Sequence, residues 1–237
     1  MSLKCADGDD RRKQGSRLRR HIESVGKTGS LQDLVEASKS ALLLLGSCCH
    51  PKGPGVCDHN RVERVVNIAT SLPYLYLGQK IARRRKSKAG RLWGASIAGV
   101  GVGSMAFHST CGDWKPIGRA FDYRMIAVSS TMLLRAVDPR VPKAALYAAC
   151  ALMPFQPLIV TSTNILALEA MFHKKAKHNP SLRSGQRRHL AAGAVGAACF
   201  GIEDIQPKFP FIHAAWHLLS TYGIATTEPF VALQDPA

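Results

Sequence analysis

Residues 92–110 read LWGASIAGVGVGSMAFHST, nineteen positions without a Lys, Arg, Asp or Glu. At about 1.5 Å of rise per residue, a helix of that length approaches the roughly 30 Å of a bilayer's hydrocarbon. The stretch predicts a membrane-spanning helix. It closes on Ser104 and His108, which helical periodicity places one turn apart on a single face.

Outward from this stretch, apolar runs recur at 65–81, 121–134, 144–155, 158–172 with Glu169 inside, 190–202 and 211–227. Seven runs in chain order predict an all-α fold, a seven-transmembrane helical bundle. Several are short for a crossing, and an all-helical soluble bundle is the alternative. The 46% of hydrophobic residues suits either. A mean hydropathy close to zero averages two materials, since the polar residues gather in the first sixty or so positions and in three basic loops. Gly94, Gly99, Gly101 and Gly103 in the second run, with Ala192, Gly193, Gly196, Ala197 and Gly201 in the sixth, tilt the reading toward lipid. Such residues weaken helices in water but let membrane helices pack closely. Pro73, Pro154, Pro157 and Pro210 mark kinks or ends.

The net charge of +16 is uneven. Arg83, Arg84, Arg85, Lys86 and Lys88 separate runs one and two; Arg135, Arg140 and Lys143 separate three and four; Lys174, Lys175, Lys177, Arg183, Arg187 and Arg188 separate five and six. All three loops share a side in a seven-span count, and the positive-inside rule makes that side cytoplasmic and the histidine-bearing ends luminal. Basic charge also suits nucleic acid, but here it punctuates apolar runs and accompanies no nucleic-acid motif, so no such partner is expected.

Residues 1–56 are expected to be a disordered basic N-terminal extension, with Asp7, Asp9 and Asp10 running into Arg11, Arg12 and Lys13 and no apolar signal core. Within it Leu31, Leu34, Val35, Ser38, Leu42 and Leu45 approximate a helical stripe. Residues 57–237 are expected to form the helical domain. The seven cysteines include no CxxC pair. Cys150 and Cys199 read as small buried hydrophobes, and a disulfide between Cys57 and Cys111, both on the luminal side, is left open.

The chemistry lies in the histidines. His108 ends the second run, Asp122 opens the third, and His213 and His217, one turn apart, open the seventh, so all approach one end of the bundle. Three neutral imidazoles suffice to hold a catalytic zinc with its fourth position open. Plainer readings stand beside this one. The histidines are hydrogen-bonded at helix ends, Asp122 caps the third helix, and Ser104 bonds its own backbone. Glu203 and Asp204, closing the sixth run, either support the site from outside or form a solvated helix end. His21, His50, His59, His173, His178 and His189 receive no role.

Gly103-Ser104-Met105-Ala106-Phe107-His108, then Asp122, then His213-Ala214-Ala215-Trp216-His217 resembles the signature of the alkaline ceramidases and their wider CREST superfamily of seven-span membrane hydrolases. Asn67-Ile68-Ala69-Thr70-Ser71-Leu72-Pro73 is similar to that family's first helix. The resemblance runs from about Cys57 to the C-terminus. It implies a Zn2+ held by His108, His213 and His217, with Asp122 orienting or deprotonating a water and Ser104 donating to the developing oxyanion. It further implies a membrane lipid amide, ceramide foremost, as substrate, and an integral multi-pass protein of an endomembrane such as the ER or Golgi. The family's calcium cluster is matched only by Cys57-Asp58-His59-Asn60, and Arg64 stands where a glutamate is expected, so the resemblance carries no Ca2+ dependence over to this chain. The pair Asp122-Tyr123 is closer to the GPI-lipid-remodelling branch, which makes a lipid ester the second substrate class. A receptor-like, non-catalytic member is the third reading.

Overall fold

The computed structural model describes residues 58–206 and 208–235. The expectations for residues 1–56 and for Cys57 lie outside the described residues.

Seven α-helices follow one another, with no strand among the described residues: α1 (Arg61–Arg84), α2 (Lys88–Ser109), α3 (Trp114–Val137), α4 (Lys143–Leu152), α5 (Pro157–His178), α6 (Arg183–Ile205) and α7 (Ile212–Ala232). A 3-10 turn, Pro180–Leu182, joins α5 to α6. Each expected apolar run falls on one of these helices, in order.

Local chemistry fixes the ends. At the start of α1 the Asn60 side chain accepts from the Glu63 backbone N–H at 2.9 Å, and the Glu63 carboxylate accepts from the His59 N–H at 2.9 Å. This exchange satisfies donors that a helix start otherwise leaves unpaired. Ser87 caps α2 by accepting from the Gly90 N–H at 3.2 Å.

The first two helices touch backbone to backbone. A Cβ on Gly78 would lie 2.4 Å from the Ala98 nitrogen, and one on Gly94 would lie 2.4 Å from the Ala82 nitrogen, so only glycine fits either side of the crossing. Close approach there carries Ser71 of α1 to 2.8 Å from Ser104 of α2. The apolar core joins Leu77 and Ile81 of α1 to Trp93 and Ile97 of α2, and reaches Phe172 of α5 and Phe230 of α7, whose rings stack at 4.4 Å. Burying side chains of this size contributes roughly 1.5–3 kcal/mol each. α4 is different: it spans only ten residues and buries none of them.

Short connectors alternate the helix directions. The α1–α2, α3–α4 and α5–α6 connectors carry the basic residues to one end, while the end of α2 and the starts of α3 and α7 meet at the other. Near the basic end, His189 of α6 bonds Glu169 of α5 through Nε2 at 2.9 Å and donates from Nδ1 to the Gly223 carbonyl of α7 at 2.9 Å. His189, which received no role from sequence, therefore joins its own helix to two others.

The membrane expectation is corrected. Among the described residues no helix is long and apolar enough to cross a membrane, which tells against the seven-transmembrane bundle and the integral multi-pass location. The cause is where the helices begin and what dilutes them. α3 starts at Trp114, seven residues before the apolar run, and takes in Lys115, Arg119, Asp122 and Arg124. α6 takes in Arg183, Arg187 and Arg188, and α1 takes in Arg61, Glu63 and Arg64. α2 has few charges, but its glycines, serines and His108 lower its apolarity. An uncharged run thus marked a helix without making it a span. Cys150 is exposed rather than buried, because α4 packs so little, whereas Cys199 is buried. Cys111 is a free thiol that accepts from Arg64 Nη1 at 3.0 Å.

Candidate metal centre

Helical periodicity sets the site. Ser104 and His108 lie one turn apart near the end of α2, and His213 and His217 one turn apart at the start of α7. The three imidazoles converge, with ring centroids 5.0 Å apart for His108 and His213, 5.3 Å for His108 and His217, and 4.6 Å for His213 and His217. One nitrogen of each lies within 4.8 Å of the others, and all three residues are buried. This group could hold a metal ion.

Hydrogen bonding decides which nitrogen faces inward. His108 Nδ1 lies 3.0 and 3.2 Å from the Asp58 carboxylate oxygens, and His213 Nδ1 lies 3.0 Å from Glu203 Oε2. A carboxylate only accepts, so both Nδ1 atoms carry the proton. His217 Nδ1 meets Thr70 Oγ1 at 3.0 Å. Thr70 donates its single proton to the Val66 carbonyl at 2.9 Å, so it accepts from His217. All three rings hold the same tautomer, with the Nε2 lone pair turned toward the others.

The inward atoms of His108 and His213 have no hydrogen-bond partner although both are fully buried. A buried acceptor left bare costs about 1–3 kcal/mol, which ligation to a metal would remove. Two carboxylates and a hydroxyl behind three imidazoles is the outer arrangement that fixes metal-bound histidines and raises their basicity. The donor set fits a borderline cation such as zinc, copper or nickel.

Charge favours the neutral rings. Burial pulls the His108 imidazole down to about 4, with Asp58 opposing and the neighbouring His213 assisting. His217 lies well below its ordinary value through burial and the two adjacent histidines. Burial works against ionisation of Asp58, but hydrogen bonds from His108, Lys115 and Asn67 outweigh it and hold this carboxyl well below the usual range.

The two other expected residues also reach this end. Ser104 Oγ lies 3.3 Å from His217 Nε2 and 2.8 Å from Ser71 Oγ, so its one proton serves a neighbouring helix rather than its own backbone. Asp122 does not cap α3, because the helix begins eight residues earlier. Its Cα packs against Gly103, where an added Cβ would stand 3.2 Å away, beside Ser104. Asp122 Oδ1 is buried without a hydrogen bond, and burial pushes the carboxyl up to about 7.

Four supporting residues were not assigned from sequence. Glu203 is 1% exposed and bonds His213, so it is not a solvated helix end; the side chain of Asp204 is outside the described residues. Asp58, Thr70 and Lys115 carried no individual signal, since their partners lie 50, 147 and 57 positions away in the chain. Comparison with protein-family models, curated proteins and solved structures gives no match.

Proposed function

We propose that this chain is a zinc-dependent hydrolase that cleaves the amide bond of ceramide or a related sphingolipid. The observation that carries the reading is the pair of buried, unpartnered Nε2 atoms of His108 and His213, each on a ring whose Nδ1 is tied to a carboxylate. His108, His213 and His217 would hold the ion, and zinc so bound supplies a Lewis acid and a water whose pKa falls to about 7.

Asp122 suits proton transfer. A carboxyl held near 7 by burial accepts a proton from the attacking water and returns it to the leaving nitrogen as the C–N bond breaks. Free acid and free amine leave, and the carboxyl ends as it began. Ser104 turns its one hydroxyl proton from Ser71 to the carbonyl oxygen as negative charge gathers there. Before substrate binds, that proton goes to Ser71, whose own proton is given to the Asn67 carbonyl at 2.8 Å.

The choice of a sphingolipid amide rests on the similarity of the two histidine strings to the alkaline ceramidases. Asp122-Tyr123 favours a second substrate class, the lipid ester of the GPI-remodelling branch. Metal analysis of purified wild-type protein is expected to find about one zinc per chain, lost in His213→Ala. A panel of ceramide and phospholipid then separates the substrates: fatty acid released from ceramide alone supports the amide reading, and release from phospholipid alone supports the ester. Folded protein that binds no zinc refutes the metal centre, and zinc-loaded protein that releases neither acid leaves a receptor-like role.

A further inference from the structure

Lys115, the second residue of α3, keeps its side chain only 6% exposed. Removing an ammonium from water costs several kcal/mol unless its donors are satisfied. Here they are satisfied in a particular way. Nζ donates to Asp58 Oδ2 and, at 3.0 Å, to the backbone carbonyl of Phe107, and it stands 4.1 Å from the centre of the Phe107 ring. Phe107 immediately precedes His108, and Asp58 is the carboxylate on His108 Nδ1. One cation therefore grips both the backbone that carries the imidazole and the group that aims it.

The geometry of the carboxylate completes the argument. Asp58 Oδ2 is taken by Lys115, while Oδ1 receives Asn67 Nδ2 and His108 Nδ1, each at 3.0 Å. Held at both oxygens, the carboxylate cannot rotate away from the ring. Lys115 also lies at the C-terminal end of α2, where the helix dipole favours a positive charge. Without the ammonium, Oδ2 would keep only the 3.2 Å contact to His108 Nδ1, and the carboxylate's hold on the direction of His108 Nε2 would loosen.

We propose that Lys115 is a positioning residue for the metal centre, acting through Asp58 to aim His108 Nε2. This rests on His108 being a metal ligand, and the test reads metal affinity rather than turnover. The full chain is titrated with Zn2+ against a chromophoric chelator, and the Co2+ absorption band is recorded for wild type, Lys115→Met, Lys115→Arg, Asp58→Asn and the Lys115→Met/Asp58→Asn double variant. Lys115→Met is expected to bind Zn2+ roughly 10–100-fold more weakly and to shift the Co2+ band, while Lys115→Arg, which keeps charge and donors, stays near wild type. The double variant is expected to be no worse than Asp58→Asn alone, because both changes break one chain of contacts.

Unchanged affinity in Lys115→Met, additive losses in the double variant, or a Lys115→Arg chain that keeps its helical circular dichroism but binds as weakly as Lys115→Met would each overturn the assignment. Should Lys115→Met fail to fold, the Arg variant and Asp58→Asn still decide it. A wild-type chain that takes up no zinc overturns this proposal and the hydrolase reading together; one that takes up zinc but hydrolyses no lipid overturns only the latter.

Discussion

The two ends of the bundle use the same side chain in opposite ways. Near the basic end, both nitrogens of His189 face oxygen acceptors, the Glu169 carboxylate and the Gly223 carbonyl, so the ring is complete only with two protons. Although burial works against that charge, the bonds to Glu169 and Gly223 raise its pKa. At the other end, His108 and His213 each meet an acceptor on Nδ1 and nothing on Nε2, and burial keeps His108 neutral. Partner count, rather than burial alone, separates a histidine with both nitrogens satisfied from one that leaves a buried acceptor open.

Asp122→Asn puts the largest strain on this contrast. Turnover is expected to fall about 10²–10⁴-fold with zinc retained, measured by fatty-acid release and metal analysis on one preparation. The same change should stabilise the metal-free fold. Asp122 has its folded pKa raised to about 7 from 3.8, so its contribution is full below 3.8 and is lost as pH rises through 7. Removing the charge should therefore raise stability above pH 7 by on the order of 4 kcal/mol, read by denaturant unfolding, and change little in acid. Lost stability instead would show that Asp122 supports the fold.

Glu203→Gln probes the metal end from behind. An amide can still accept from His213 but no longer strengthens the ring as a ligand, and Zn2+ affinity should drop roughly 10–100-fold with helix content unchanged. Equal affinity would reduce Glu203 to a packing residue. His189→Gln is the counterpart at the far end and should leave Zn2+ affinity alone. Because the pKa of His189 is raised on folding, its contribution is complete below 6.5 and disappears as pH rises through the folded value. The variant should be destabilised by roughly 1 kcal/mol in mild acid and match wild type in alkali. A loss that grows with pH would reverse the reading.

The imidazoles were legible in sequence because each pair, Ser104 with His108 and His213 with His217, obeys the helical repeat. What orients them was not. Asp58 precedes the first helix, Glu203 follows an uncharged run in the manner of an ordinary helix end, and Thr70 reads as a helix-interior residue. Each acquires meaning only across the packed bundle. The seven helices were likewise visible as seven apolar runs, but their boundaries were not, since α3 opens with Trp114 and Lys115 well before its uncharged stretch. That shortfall led a helix to be taken for a span, and left Lys115 and Arg119 outside the expected run.

Phe211, the residue just before α7, is held in a left-handed conformation, φ 59°, two residues before His213. A side-chain-bearing residue held there costs on the order of 1 kcal/mol or more. Since His108 belongs to the second helix and His213 to the last, an ion gripped between them would fasten together two helices far apart in the chain. Severing the connector between α4 and α5 would then yield one piece with a single ligand and one with two, neither holding all three, whose reunion the cation would favour.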